Sequence, residues 1–425
     1  MQDAEAVVST VKSLYANYDI KKIYWDAYTR VTSSTGNSFP DVTRLIKQQL
    51  QKGALVMNYS GHGGPSLLSH EAVLRITDFG EASSLRLPLW VTAACDVAPF
   101  DGQSDNIGET AMFNKKGGSI AFYGTTRTVY ASYNRLQNQS FMKYLLASKN
   151  GRRLTIGEAA YLAKNDFVSG STEMLTNKLQ YVLLGDPALT LASPTEQAVI
   201  DSINGKAVAD GIQQLKAGSK VTLKGHLPGH TDFNGVVTIT VRDIEETIVG
   251  KQNDPVATET AFEFQDRPNT IYNGSDSIRN GQFSFSFAVP KDISYSDKTG
   301  LFLVYAVNND KSLSAHGECE SFTLTGTEDL SNDGVGPSIY CYLNSESFVN
   351  GSTVNATPSF YAELTDKDGI NVSGGIGHDL ELIIDNDMNL TYQLNERFQY
   401  DFGDYCKGKV DYVLPELSDG PHKLL

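Results

Sequence analysis

Over its first 192 residues the chain alternates short apolar runs of strand length with longer segments of helical periodicity, and few folds accept that alternation. Asp3–Tyr18 sets Val7, Val8, Val11, Leu14, Tyr15 and Tyr18 on one helical stripe. Lys22–Tyr28 (KIYWDAY) reads as β-rich. Pro40 stands at a first helical position, opening PDVTRLIKQQLQK, and Gly53 closes it. The runs ALVMNY (54–59), LPLWVTAA (87–94) and SIAFYG (119–124) are short enough to be buried strands. Helical patterns fall at 71–79, 107–114, 133–148 and 155–166, before LQYVLLGDPALTL at 179–191. Strands separated by helix-length crossovers predict an α/β domain, a parallel sheet wrapped on both faces.

After Ser193-Pro194 the pattern changes. Short alternating runs at 220–224, 235–241, 282–289, 301–307 and 320–324 are separated by turn-rich stretches, the grammar of a β-sandwich. A second β unit begins near Gly334 with SIYCYL, followed by SFYAELTD, LELIID, TYQLNERFQY and KVDYVL. The expected organisation is an α/β domain at 1–192, an immunoglobulin-like sandwich at 193–330 and a second, incomplete sandwich at 331–425. The ending LSDGPHKLL reads as a turn and the first residues of an unpaired strand, so the expectation is a piece of a longer protein, cut at both ends.

Composition narrows the function. Fifty acidic against thirty-five basic residues give a net charge of −15, which argues against nucleic acid as a partner, because phosphate binding needs a basic footprint. No stretch reaches the roughly 18–20 apolar residues of a membrane helix. The four cysteines, at 95, 319, 341 and 406, contain no C-x-x-C, so they read as neither a disulfide scaffold nor a zinc pattern, and no metal ligands are assigned. Cys341 and Cys406 share the carboxyl-terminal segment and are candidates to pair if the protein is exported.

Chemistry enters where two strands end. ALVMNY runs into Ser60-Gly61-His62-Gly63-Gly64, and LPLWVTAA runs into Cys95-Asp96. The carboxyl ends of parallel strands share one edge, where open α/β folds place their sites. Neighbouring strands lie about 4.8 Å apart, so an imidazole beyond one and a thiol beyond the other can face each other. A thiol of pKa about 8.5 is barely ionised at neutral pH, and an adjacent imidazole both assists it and protonates a leaving amine. The N–H of Gly63, with that of Cys95, is placed to stabilise an oxyanion. A lone cysteine at a strand end is ordinarily a small hydrophobe; the pair on one edge favours catalysis. His70, beside Ser69, reads as a residue at a helix start.

SGHGG after one strand and AACD after the next resemble the clan of caspases and legumain, and more closely the gingipain family. Two features make the likeness specific. The His-to-Cys interval is similar to that family's, and YVLLGDPALTL resembles the GDP-S/A-L segment that ends its catalytic domain. The likeness is close over residues 50–192 and loose in the region beyond. It implies a caspase-like cysteine peptidase without metal or organic cofactor. His62 would be general acid/base, Cys95 nucleophile and Gly63 an oxyanion donor. Gly124, Thr125, Thr126, Arg127 and Thr128 would line the substrate cleft, with Asp26 a weaker candidate for an orienting carboxylate. KKIYWDAYT, LVMNYSGHGG, LPLWVTAACD and GGSIAFYGTTRTVY are similar to the branch that processes cargo of the type IX secretion system in Bacteroidetes. That branch implies an exported, cell-surface enzyme removing carboxyl-terminal sorting domains and transferring cargo to a lipopolysaccharide, with outer-membrane secretion proteins as partners. The alternatives are a secreted general proteinase and a non-catalytic surface scaffold.

Overall fold

Side chains of the central strands divide by parity between two apolar cores, the signature of a sheet buried on both faces. The computed structural model describes every residue except 35, 168–170, 254–259, 329–333 and 373–378. The chain forms two compact units, Met1–Ser193 with Thr247–Phe264, and Pro194–Glu246 with Gln265–Leu425.

In the first unit, strands β1 (Val56–Ser60), β2 (Leu89–Ala93), β3 (Ala121–Thr125) and β4 (Tyr181–Leu184) lie in the order β4-β3-β2-β1. Leu89, Val91, Ala121, Tyr123 and Tyr181 enter one core, with Val7 and Val11 of helix α1 (Gln2–Leu14). Phe141 of α5 (Ala131–Leu145) and Ala159 of α6 (Ile156–Asn165) complete it. The alternate residues Trp90 and Phe122 enter the other core. There they meet Val42, Ile46 and Leu50 of α2 (Pro40–Lys52), Phe79 of α3 (Ile76–Glu81) and Ala111 of α4 (Ile107–Phe113). The mixed α/β character expected from the alternation is therefore present, with helices on both faces.

Two local expectations are corrected. KIYWDAY forms no strand; Trp25–Ala27 is a turn of 3₁₀ helix. Its aromatics are used for packing: Trp25 stacks on Tyr59 with centroids 5.5 Å apart, and Tyr24 meets Phe264 edge-on at 4.6 Å. The sheet is also not wholly parallel. β1, β2 and β3 are parallel, but β4 is antiparallel to β3, with Tyr181 opposite Thr125 and Leu184 opposite Phe122. The reason is α7 (Thr172–Gln180), which delivers the chain straight into Tyr181 at the carboxyl edge of the sheet.

The second unit is built of strands. Gly235–Arg242 pairs with Thr270–Ile278 and Leu301–Asn308, while Lys220–His226 pairs with Gln282–Ala288. Alternation puts Val237, Ile239 and Val241 from the first set, and Val221, Leu223, Phe283, Phe285 and Phe287 from the second, into one apolar core. Phe360, Ala362, Leu364, Val410 and Tyr412, from the strands Ser359–Thr365 and Lys407–Val413, join the same core. The expected boundary at 330–331 lies outside the described residues. The chain's last residues do pair, contrary to expectation: Leu425 and Ile383 exchange both backbone hydrogen bonds, at 2.8 and 2.9 Å.

All four cysteines are free thiols. Cys341 lies on Ser338–Leu343 and Cys406 just before Lys407–Val413, with Ser359–Thr365 between those strands. Two strand spacings, about 9.6 Å, exceed the roughly 7 Å that a disulfide spans, so the anticipated pairing does not form.

Candidate active site

The parallel pairing of β1 with β2 sets Ser60 opposite Ala93. His62 and Cys95 are each the second residue beyond that pair, and the ladder continues one step further through Gly61 N–H to the Ala93 carbonyl at 3.2 Å. The two turns therefore leave the sheet side by side at the same level. His62 is exposed and Cys95 half-buried.

The histidine turn is held from several directions. Behind it, Asn138 of α5 donates to Ser60 Oγ at 3.1 Å and to the Asn58 side chain at 2.9 Å, tying the end of β1 to a buried helix position. The His62 carbonyl accepts from the Tyr59 hydroxyl at 2.6 Å and from Ser69 N–H at 2.9 Å. Burial pushes the Tyr59 phenol far above its ordinary pKa, so it stays protonated and able to donate. Gly64 N–H donates to the Leu67 carbonyl at 3.0 Å, closing a small hairpin in which Gly63 faces Leu68. With bonds on either side of that pair, Gly63 occupies a non-hydrogen-bonded position, and its own N–H points out of the hairpin. Neither the Gly63 nor the Cys95 N–H meets a backbone acceptor among the described residues. Glycine is required at 63 on packing grounds: a Cβ there would come within 2.8 Å of Ala94 Cβ, 2.9 Å of Val97 Cγ1 and 3.3 Å of the Cys95 carbonyl.

The cysteine turn is anchored to the segment beyond β3. Val129 N–H donates to Cys95 Sγ at 3.5 Å, a contact that strengthens as the sulfur becomes a thiolate. Asp96 adopts a left-handed φ of 53° and accepts from the Thr128 hydroxyl at 3.0 Å. Thr125 Oγ1 donates to the Ala94 carbonyl at 2.5 Å.

Other expected site residues divide. Gly124 and Thr125 belong to β3 and are fully buried, with Val182 and Tyr181 opposite them, so they support the edge and do not line it. Thr126 is half-buried and bonded to the Gln180 side chain at 2.7 Å; Arg127 and Thr128 are exposed. Arg127 forms a two-pronged pair with Asp101, at 3.0 and 2.6 Å, and holds that carboxyl below its usual pKa.

Asp26 is engaged elsewhere. Its carboxylate accepts from Gln252 N–H at 2.9 Å, Asn253 N–H at 2.8 Å and the Asn253 side-chain amide at 2.9 Å. The three bonds tie Asp26 to Gln252 and Asn253, so in this structure its carboxylate anchors that stretch of chain. Asp186 behaves as its Asp-Pro context suggests, accepting from Ala188 N–H at 2.9 Å in a local turn.

Sequence reasoning missed Tyr59 and the placement of His70. The His70 ring, expected at a helix start, instead occupies a turn and lies 4.5 Å from the His62 ring, centroid to centroid, with planes 14° apart. The short hairpin that brings it there was legible only as a turn-forming Gly-Gly-Pro-Ser.

A thiol and an imidazole beyond adjacent parallel strands, with the Gly63 and Cys95 N–H groups beside them, are the groups that thiol-dependent hydrolysis uses. Residues 1–192 match the model of peptidase family C25. Among solved structures the chain is similar to dimeric latent PorU from Porphyromonas gingivalis, at 32% identity and TM-score 0.36, over 73% of this chain and 30% of that one. It is also similar to gingipain R, the Arg-specific cysteine proteinase, at 15% identity and TM-score 0.35, over 76% of this chain and 62% of that one. The complex of pro- and mature domains of RgpB from Porphyromonas gingivalis gives 15% identity and TM-score 0.37, over 76% and 63%. The chain thus spans about a third of the PorU chain. No curated protein matches it.

Proposed function

We propose that this chain cleaves peptide bonds through a thioester on Cys95. The Cys95 sulfur attacks the scissile carbonyl carbon as its proton passes to His62. The resulting oxyanion is met by the N–H groups of Gly63 and Cys95. His62 then gives the proton to the departing amine nitrogen, and the acyl group remains on sulfur. Water, deprotonated by His62, releases the acid and restores the thiol; an amine acceptor in place of water gives transpeptidation. The observation that carries this reading is the register that sets His62 and Cys95 two residues beyond the Ser60–Ala93 pair.

The finer reading is a caspase-like sheet serving as a sorting peptidase, exported and held at the cell surface, which removes carboxyl-terminal sorting domains from cargo and passes some of it to a lipopolysaccharide. The immunoglobulin-like sandwich assignment of the second unit belongs with it, as spacing or docking modules. Similarity of the first unit's phrases to that branch supports it; a general secreted proteinase and a non-catalytic scaffold are its rivals.

The test is direct. Iodoacetamide should alkylate Cys95 before Cys319, Cys341 and Cys406, and Cys95→Ala should abolish cleavage of both denatured casein and a cargo protein bearing its sorting domain. Residual cleavage by Cys95→Ala removes the thioester. Cleavage of cargo junctions with casein untouched favours the sorting role; the reverse favours a general proteinase; neither, with a slowly alkylated Cys95, leaves the scaffold.

A further inference from the structure

A ring on an exposed turn between glycines has nothing beside it on its own strand to limit rotation about its side-chain bonds. His62 is in that position, with Gly61 before it and Gly63 and Gly64 after it. Its backbone is fixed by the Tyr59 and Ser69 donors to its carbonyl, but those contacts leave the imidazole plane undetermined. General acid–base catalysis needs that plane defined, since proton transfer requires a ring nitrogen aligned with the sulfur and later with the leaving nitrogen.

The hairpin 62–70 supplies what the turn lacks. Its return arm brings His70 over His62, the rings nearly parallel at 14° and 4.5 Å between centroids. The arm reverses through a left-handed Ser69 (φ 64°), whose N–H is the one bonded to the His62 carbonyl. A single bond therefore registers both the backbone of His62 and the residue next to His70. His70 is exposed and makes no other ring contact among the described residues. A side chain that contributes nothing to a core, yet lies flat on one face of the imidazole, fits a positioning role.

We infer that His70 is a positioning residue: its ring covers one face of His62 and confines the imidazole to the plane in which it serves Cys95. This rests on the reading of His62 as the general acid/base. The contribution comes from a flat ring in van der Waals contact, so another planar aromatic ring should substitute for it, and an aliphatic or small residue should not.

The test measures the rate of iodoacetamide alkylation of Cys95 in the full chain at neutral pH by intact mass, together with hydrolysis of labelled denatured casein. Because His70 is exposed, His70→Ala should fold with an unchanged melting temperature. Its alkylation rate should fall about tenfold, equivalent to about 1.4 kcal/mol, toward that of His62→Ala, with the loss of hydrolysis in kcat and not in KM. His70→Phe should regain most of the lost rate. Alkylation of His70→Ala at the wild-type rate, with His62→Ala slow, overturns the positioning role and leaves the catalytic pair standing. Failure of His70→Phe to rescue overturns the stacking basis. Should His62→Ala itself alkylate at the wild-type rate, the catalytic pair fails and the inference falls with it.

Discussion

The Thr128 hydroxyl donates to the Asp96 carboxylate at 3.0 Å, joining the residue after Cys95 to the exposed segment beyond β3. Asp96 holds a left-handed backbone, φ 53°, and that bend turns the chain back toward the Val97 and Ala98 core positions while leaving Cys95 at the rim. Asparagine tolerates this conformation and keeps an acceptor; a β-branched residue there costs roughly 1–2 kcal/mol. Asp96→Asn should therefore retain kcat/KM within about threefold, whereas Asp96→Val should lose about tenfold or more and melt lower. Thermal melts paired with casein kinetics decide it, and equal behaviour of the two variants would mean that the bend has no bearing on the thiol.

Gly63 and Gly64 are adjacent in sequence and opposite in consequence. A Cβ at 63 would press on Ala94 and Val97, whereas one at 64 meets nothing within 4 Å. Overpacking of this kind costs about 1–3 kcal/mol, and the relaxation it forces would displace an oxyanion donor, whose loss is typically about 10²–10³ in rate. Gly63→Ala should lower both the melting temperature and kcat, while Gly64→Ala should change either little. A fully active Gly63→Ala would remove its N–H from the mechanism.

The parts of this molecule that could be read ahead were those set by local pattern. Strand-length apolar runs ending in Gly-His-Gly and Ala-Cys-Asp placed both turns on one edge of one sheet, as the Ser60–Ala93 pairing has them, because parallel crossovers leave little choice of where strand ends go. What escaped depended on contacts between distant segments. Nothing in the chain's periodicity announces that α7 returns at the carboxyl edge and makes β4 antiparallel. The aromatic richness of KIYWDAY has the same composition whether it pairs in a ladder or packs on Tyr59 and Phe264. Of the residues expected to line the cleft, Gly124 and Thr125 still pair within the sheet, because the antiparallel return of β4 extends the ladder past the apolar run. Asp26 took its role from a segment more than two hundred residues away.

That long-range anchor has its own test. Three donors converge on the Asp26 carboxylate, and Lys251 N–H adds a bond to the Asp26 carbonyl at 2.7 Å. Removing a half-buried charged acceptor leaves donors unpaired and costs about 1–3 kcal/mol. Asp26→Ala should lower the melting temperature and expose Phe262 and Phe264 to chymotrypsin, while Cys95 alkylates at the wild-type rate. The opposite pattern, intact stability with slowed alkylation, would return Asp26 to the orienting role.

Acid sensitivity should be traceable to the start of α6. Glu158 reaches back to Thr155 N–H at 2.9 Å in a capping box and takes a two-pronged bond from Arg152, at 2.5 and 2.7 Å. The Arg152 bond, then the Thr155 N–H, hold its carboxyl down at about 2 from an ordinary 4.5. A carboxylate depressed in the folded state stabilises the fold above its unfolded pKa, and that stabilisation is lost as pH falls from about 4.5 toward 2. The Glu158→Gln variant would keep the capping geometry, since glutamine also serves at the third position of a capping box, but its amide could not titrate. The melting temperature of that variant, followed from pH 7 to pH 2, should lie below wild type at neutral pH and converge with it in acid. Parallel curves across that window would show that the Arg152–Glu158 pair is screened by water to the point of contributing nothing.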